Sequence, residues 1–452
     1  MEFPVSRKRF YISYILFFCL NLFPARAETV ILTVEEAVER ALNQSINLRK
    51  SAIDLAQTEY SAKNLWSEIF PGFSLSAGLT FLPGTNLFTD PGFSYKSEAL
   101  AYSLSFGISM SFNPSLGASM KRIELAYRAQ LLTYEDARRQ LEIQVVKNFL
   151  NMLTRIENIS LMEQNLEVAR QKLEKDRIAR QTGLLSELSW LNSQLSVENA
   201  RYNLITAQGS YQTALGEFLA LLGMNADTDI TFRGTIGINP VRYDSEQLIR
   251  EHLPKRPDIV RQRQTIERLE LTKSITALNS RSPTLDLSAS WRGGTPSGNR
   301  VDGLADPFTD SLSGSVTLRI PIDSWIPGTR QNQTIRASNA ELEKALLDLE
   351  NIETRAKTEI RAIISNLNST WESLEIARLR VQISTLTVQA TELGFQSGTV
   401  EFRDLEDTRR ELMDVQLRLL QGEYTYQSLL LDLAAALNMD WKLLTAIQAE
   451  NF

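Results

Sequence analysis

Cysteine and histidine are almost missing from this chain: Cys19 is the only thiol and His252 the only imidazole among 452 residues. One cysteine excludes a disulfide framework, and with a single histidine it excludes the usual zinc ligand sets. No phosphate loop and no nucleophile motif is present, and His252, in "REHLPKRPD" at the start of a helical pattern, has no catalytic company. The sequence therefore points away from an enzyme and implies no cofactor and no metal. Basic excess is absent as well. The formal net charge is −6, which argues against nucleic acid as a partner. After the first thirty residues no run reaches eighteen apolar positions, so no helix is expected to cross a membrane.

The N-terminus is the one strongly apolar region. Arg7, Lys8 and Arg9 precede "FYISYILFFCLNLF", which ends in "PARA" before Glu28. Charged, apolar and Ala-x-Ala parts in that order read as a secretory signal, residues 1–27, cut after Ala27. A retained anchor would need a span of about 20 residues, longer than this run. Cys19 lies inside it behind bulky Phe17 and Phe18, where a lipidated cysteine calls for small residues. Cleavage removes Arg7, Lys8, Arg9 and Arg26 but only one acid, Glu2, so the product is more acidic than the precursor.

The rest is written twice. "RQTGLLSELSWLNSQLSVENARYNL" aligns without gaps on "FQSGTVEFRDLEDTRRELMDVQLRL", placing Gly183 over Gly398. At the same offset "ALGEFLALLGM" falls on "LLLDLAAALNM", and upstream "FPGFSLSAGL" matches "SPTLDLSASW". Repetition at this scale sets the organisation before any local reading. The first repeat covers residues 28–225, a linker 226–243, and the second repeat 244–452. Each half reads helix, strand, strand, long helix, turn, helix.

In the first half a helix is expected over 33–70, opening with the capping box "TVEE" and stopped by Pro71 and Gly72. After Pro114 no proline occurs up to Gln181, and helical periodicity holds throughout. A helix of that length would measure roughly 100 Å. Ile159, Met162, Leu166, Ala169 and Leu173 follow the three-four spacing of a coiled-coil seam, as do Leu405, Leu412, Val415, Leu419, Tyr426, Leu429 and Leu433 in the last helix. In the second half the first helix is expected over 244–280 and the long one from about Thr329.

Strands are expected at about 73–82 and 101–113, and at about 285–292 and 311–320. In "YSLSFGISMSF" the alternation is unbroken: Tyr102, Leu104, Phe106, Ile108, Met110 and Phe112 share one face, serines and Gly107 the other. Strands of this length suit a tilted crossing of a bilayer. Four strands cannot close a barrel, so this reading asks for further copies of the chain. The loops 83–99 and 293–310 would be the external tips. The alternative on the strands alone is a soluble sheet packed on helices, as in a periplasmic coiled-coil adaptor or scaffold.

Taken together, the doubled plan, "LTVEEAVERALNQSINLRKSAIDLAQTEYSAKN", "RPDIVRQRQTIERLELTKS" and the glycine turns closing with "LLGM" and "ALNM" resemble the TolC-like outer-membrane efflux family over the whole mature chain. The resemblance implies a mainly α chain with a transmembrane β-barrel: a homotrimer joining a 12-stranded barrel in outer-membrane lipid to a 12-helix periplasmic α-barrel. It implies the exit duct of a tripartite efflux or type I secretion system, working with a periplasmic adaptor and an inner-membrane RND or ABC transporter. It places a cation-binding gate at Asp404 and Asp407, whose i, i+3 spacing shares one helix face, and adaptor-contacting tips at Gly183, Leu184, Gly398 and Thr399. The first half has Ser189 and Asn192 where the second has the aspartates. Val400 and Phe395 stand where the family's best-known member locks its gate with Arg and Tyr.

Overall fold

The computed structural model describes residues 30–82, 99–225, 228–234, 243–294 and 308–442. The expected signal segment, most of both expected external loops and much of the linker lie outside the described residues. The elements run β1 (Val30–Leu32), α1 (Val34–Gln44), α2 (Ile46–Lys63), β2 (Gly72–Leu82), β3 (Ala99–Phe112), α3 (Leu116–Gln181) and α4 (Glu187–Leu221). They continue with β4 (Ile230–Phe232), α5 (Ser245–His252), α6 (Pro257–Arg281), β5 (Thr284–Gly294), β6 (Thr309–Arg319), α7 (Arg330–Gln396) and α8 (Phe402–Leu437).

Thr33 caps α1 in a full capping box: Glu36 N donates to Thr33 Oγ1, and Thr33 N donates to Glu36 Oε2 at 3.0 Å. The single helix expected over 33–70 is instead broken at Ser45 and ends at Lys63. Ser45 takes an extended ψ of 119° and its Oγ accepts from Leu48 N, so it starts α2 as a new N-cap. Asn64 then donates from its side chain to Tyr60 O at 2.8 Å, ending the helix before a 3-10 turn over Leu65–Glu68. The helix expected over 244–280 is likewise split. Pro254 and Pro257 lack N–H groups, Arg256 is extended ahead of Pro257, and Pro257 opens α6 at the position where proline is tolerated.

The long helices are continuous over 66 and 67 residues. Along its length α3 packs against α1, α2 and α4, and α7 against α6 and α8. The two cores sit at matching places in the repeat. Val145, Phe149, Met152, Phe218 and Leu222 are buried in one; Ile360, Ile364, Leu367, Leu433 and Leu437 are their counterparts in the other. A third cluster, Ile143 and Val146 on α3 with Leu431 and Ala434 on α8, joins the halves, helped by Lys147 and Asp432 at 2.5 Å. Because α8 buries one side on α7 and another on α3, its buried set at this level includes Leu420, Leu430 and Leu431 rather than only the expected heptad positions. The linker contributes a strand the sequence reading lacked. Parallel pairing of β4 with β1 sets Phe232 against the rings of Phe149 and Phe218.

The four longer strands form one antiparallel sheet in the order β2-β3-β5-β6, leaving β2 and β6 as edges. Register puts the apolar residues on one face: Leu75 pairs with Phe106, Phe106 with Trp291, and Trp291 with Leu312. The other face is hydroxylic. Ser76 and Ser105, Ser288 and Ser315, and Ser290 and Ser313 bond across neighbouring strands at 2.6, 2.7 and 2.9 Å.

Where the second half meets its own core, Arg256 is buried and donates to both oxygens of Asp258, to Glu359 and to the Ala436 carbonyl. Burial opposes ionisation of Asp258, but the hydrogen bonds and charge of Arg256 prevail and hold its carboxyl below the usual aspartate range. Truncation would remove the hydrogen bonds that tie both carboxylates and the Ala436 carbonyl together. Arg256→Ala is expected to destabilise the second half by about 1–3 kcal/mol, read as an earlier thermal loss of helical circular dichroism in detergent. An unchanged midpoint would show that the acids are adequately solvated without it.

Candidate functional site

Among the described residues the apolar face of the sheet stands open. Leu75 and Leu79 on β2, and Leu312 and Val316 on β6, are each more than seven-tenths exposed. A band of rings extends this face toward the helices: Trp66, Phe70, Phe73 and Phe106 follow one another with centroids 5.1, 5.8 and 6.4 Å apart. On the far edge the exposed Ile320, Ile322 and Trp325 continue past β6. A two-faced sheet with an aromatic border at the strand ends is the pattern of a barrel wall with its interfacial girdle. Among the described residues no helix is long and apolar enough to cross a membrane.

At the opposite end of the molecule the hairpins α3–α4 and α7–α8 turn. Both turns are Schellman motifs. Gly183 N donates to Arg180 O and Leu184 N to Ala179 O; Gly398 N donates to Phe395 O and Thr399 N to Gly394 O. The motif needs a left-handed residue, and Gly183 and Gly398 have φ of 75° and 76°. Leu184 projects from the first tip at 83% exposure, while Thr399 folds its hydroxyl back onto Gly394 O. In the second tip Val400 closes down on Gly394, where a Cβ would meet it at 2.6 Å.

Equivalent positions of the two tips carry different chemistry. Arg180 and Glu187 close the first turn as an ion pair at 2.7 Å, with Arg180 stacked on Trp190. Their counterparts, Phe395 and Phe402, close the second as an edge-on ring pair. Onto that pair reaches Lys172 of α3, its Nζ 3.5 Å from the Phe402 ring centroid. Lys172 is buried, donates to Asp176 Oδ2 at 3.1 Å and to Ser193 Oγ at 3.2 Å, and so ties α3 and α4 to α8. Burial pushes its pKa below the usual lysine range, against the pull of Asp176 and Glu406. One turn away Ser196 of α4 donates to Glu406 Oε2 at 2.9 Å, and Arg409 bridges Glu406 and Glu392.

The sequence pattern placed Leu173 in this seam, but Lys172 and Asp176 are the buried residues there and Leu173 is only half-buried. A lysine at a seam position reads as a solvated charge until its acceptors are seen on the facing helix. That is why the cluster escaped the sequence. Asp404 and Asp407 lie side by side on the exposed face of α8, behind buried Leu405. Asp407 is paired with Arg410 and, at 4.0 Å, with Arg403; among the described residues Asp404 has no ion pair.

Residues 37–224 and 248–439 match the family described as outer membrane efflux protein. One matched block falls in each half of the chain. Among solved structures the chain is similar to the CmeC outer membrane channel of Campylobacter jejuni, at 15% identity over 93% of this chain and 89% of that one, with a TM-score of 0.71. It is also similar to the outer membrane protein VceC of Vibrio cholerae, at 17% identity over 90% and 96%, with a TM-score of 0.70. A third likeness is to the open state of the Neisseria gonorrhoeae MtrE channel, at 15% identity over 90% and 89%, with a TM-score of 0.68. No curated protein sequence matches. With both halves matched and the two-faced sheet in place, the chain belongs to the outer membrane efflux protein family, as an outer-membrane channel with a periplasmic helical extension.

Proposed function

We propose that the channel works as a homotrimer, the passive exit duct of a tripartite efflux or type I secretion assembly. The observation that carries this is a pair of unpartnered leucine stripes. On α4, Leu188, Leu191, Leu195, Tyr202 and Ile205 are exposed at heptad spacing; on α7, Ile376, Leu379, Ile383, Leu386 and Leu393 are exposed in the same way. Both stripes span the same length of helix and start equally far from their tip glycines. The helices run in opposite senses relative to the tips and do not pack on each other within the chain. Each stripe therefore fits the other in a neighbouring copy as an antiparallel coiled-coil seam. The sheet asks for the same neighbour, since β6 of one copy meets β2 of the next in antiparallel sense. Head-to-tail contacts of this kind close into rings, and three copies supply twelve strands, an even number as barrels of this type require.

In this ring the serine faces line the water-filled lumen and the apolar faces meet outer-membrane lipid. The precursor is exported by its N-terminal signal, residues 1–27. The tips at Gly183, Leu184, Gly398 and Thr399 meet a periplasmic adaptor, which delivers substrate from an inner-membrane RND or ABC transporter. Asp404 and Asp407 ring the periplasmic mouth as a cation-binding gate. Lys172 on the Phe395–Phe402 pair holds the two hairpins of each copy together at rest, in place of an Arg and Tyr lock at Val400 and Phe395. Adaptor binding opens the mouth only to the extent that it favours the parted arrangement. Conduction then needs no chemistry from the protein, in keeping with a duct and not an enzyme.

In planar bilayers Asp404→Asn with Asp407→Asn is expected to raise the resting conductance and to weaken block by periplasmic Mg2+ about tenfold; unaltered block would remove these residues from the gate. Lys172→Met keeps the length of the side chain and removes the cation. It should raise the open probability, and a double-mutant cycle with Phe402→Leu should give a coupling of about 0.5–2 kcal/mol. Additive effects would mean that the ring and the ammonium do not act together.

A further inference from the structure

The hydroxylic face of the sheet holds little charge, and what it holds is unevenly placed. Among the described residues this face is mostly serine, threonine and glycine, with Asp286, Arg292 and Arg319 as its charged members. Asp310, the remaining charge of the sheet, lies on the other face and accepts from Trp291 Nε1 at 3.3 Å. Asp286 pairs with Thr317 and Thr284 with Arg319, so Asp286 and Arg319 are diagonal neighbours of opposite sign. Ser111 also donates to Asp286 Oδ1 at 2.6 Å.

Arg292 stands apart from that pair. It lies further along β5, about 20 Å from Asp286, well beyond the Debye length of about 8 Å at physiological ionic strength. Its cross-strand partners are Ser105 and Ser311, and the pairs before and after it on this face involve only Ser290, Gly107, Ser313, Gly294, Ser103 and Thr309. Arg292 is exposed and has no hydrogen bond or ion pair among the described residues. The wall that carries it is fixed: a Cβ at Gly294 would collide with the Tyr102 carbonyl, so glycine lets β5 stay paired with β3 to its last residue.

We infer that Arg292 forms an anion-attracting ring in the barrel lumen, favouring solutes that carry carboxylate, sulfate or phosphate groups. The inference rests on the trimeric barrel proposed above, in which this face lines the lumen because the opposite face is the apolar one. Threefold symmetry then brings three guanidinium groups to one level, near the strand ends farthest from the helices. Rings of arginine or lysine are how pores favour anions, and lumen substitutions tune selectivity. The planar guanidinium suits these oxyanions because it can hold two of their oxygens through parallel bonds. The loops beyond, outside the described residues, carry Asp90, Glu98, Asp302 and Asp306 against Lys96 and Arg300. They are common to all the variants compared below, so the part played by Arg292 is read as a difference.

The test measures how fast charged thiol reagents reach single cysteines in the trimer reconstituted in liposomes; residues 28–452 contain no other thiol. Ser311→Cys reports beside Arg292, and Ser109→Cys reports about 13 Å further toward the helices, each in the wild-type, Arg292→Gln and Arg292→Lys backgrounds. The readout is the rate of sulfonatoethyl methanethiosulfonate relative to its cationic trimethylammonioethyl counterpart. In about 10 mM salt Arg292→Gln should lower this ratio about fivefold at Ser311 and about twofold at Ser109. Arg292→Lys should retain both ratios, and about 1 M KCl should abolish the differences. An effect confined to Ser311 would mean that the guanidinium acts only on its neighbour, and no effect at either site would mean no attraction. Either result overturns the ring and leaves the barrel standing. Leu312→Cys, on the opposite face, checks the barrel itself: a fluorescent maleimide there should be quenched by brominated phospholipids. An unquenched label would remove the lipid-facing wall, and the lumen and its ring with it.

Discussion

An open β-sheet in hydrocarbon leaves the N–H and C=O groups of its edge strands without partners, and each costs several kcal/mol. The edges here are β2 and β6 of a four-stranded sheet whose apolar face stands open among the described residues. Much of the remaining design answers that constraint. The alternation along every strand gives the sheet one face for lipid and one for water. The two leucine stripes on α4 and α7 carry the same demand for neighbours down into the helices. A ring that satisfies one set satisfies the other.

Duplication supplies the scaffold, and departures from duplication set its two tips apart. Five buried residues of one core have equivalents in the other, from Val145 and Ile360 to Leu222 and Leu437. Even the helix ends match, with left-handed Gly223 answered by left-handed Asn438. Symmetry fails at the tips. An Arg180–Glu187 ion pair faces solvent in the first half, where the second half has a Phe395–Phe402 ring pair that accepts Lys172. Ser189 and Asn192 stand opposite Asp404 and Asp407. The two hairpins are therefore equal as struts and unequal in the chemistry of their tips.

Much of the fold was legible because its periods are long and unbroken. The serine alternation in β3, the proline-free course of α3 and the paired glycine turns each repeat one rule over many residues. Short features obeyed rules too local to stand out. Ser45 breaks a helix by accepting a single backbone bond, Pro254 and Pro257 split another, and β1 and β4 are three residues each. At the candidate site, the ion pairs of Asp407 could be read from helical spacing, since Arg403 and Arg410 are on its own helix. For Lys172 only the Asp176 pair could be read that way, because Ser193, Phe395 and Phe402 come from three other helices.

The central claim is that one chain is a third of a channel. The most direct measurement is the native mass of the mature protein extracted from outer membranes in mild detergent. A mass of three chains, with none released by detergent-free extraction, is the predicted result. A soluble monomer or dimer would contradict it: the apolar face of the sheet would then be covered by protein, and β2 and β6 would not need a neighbour.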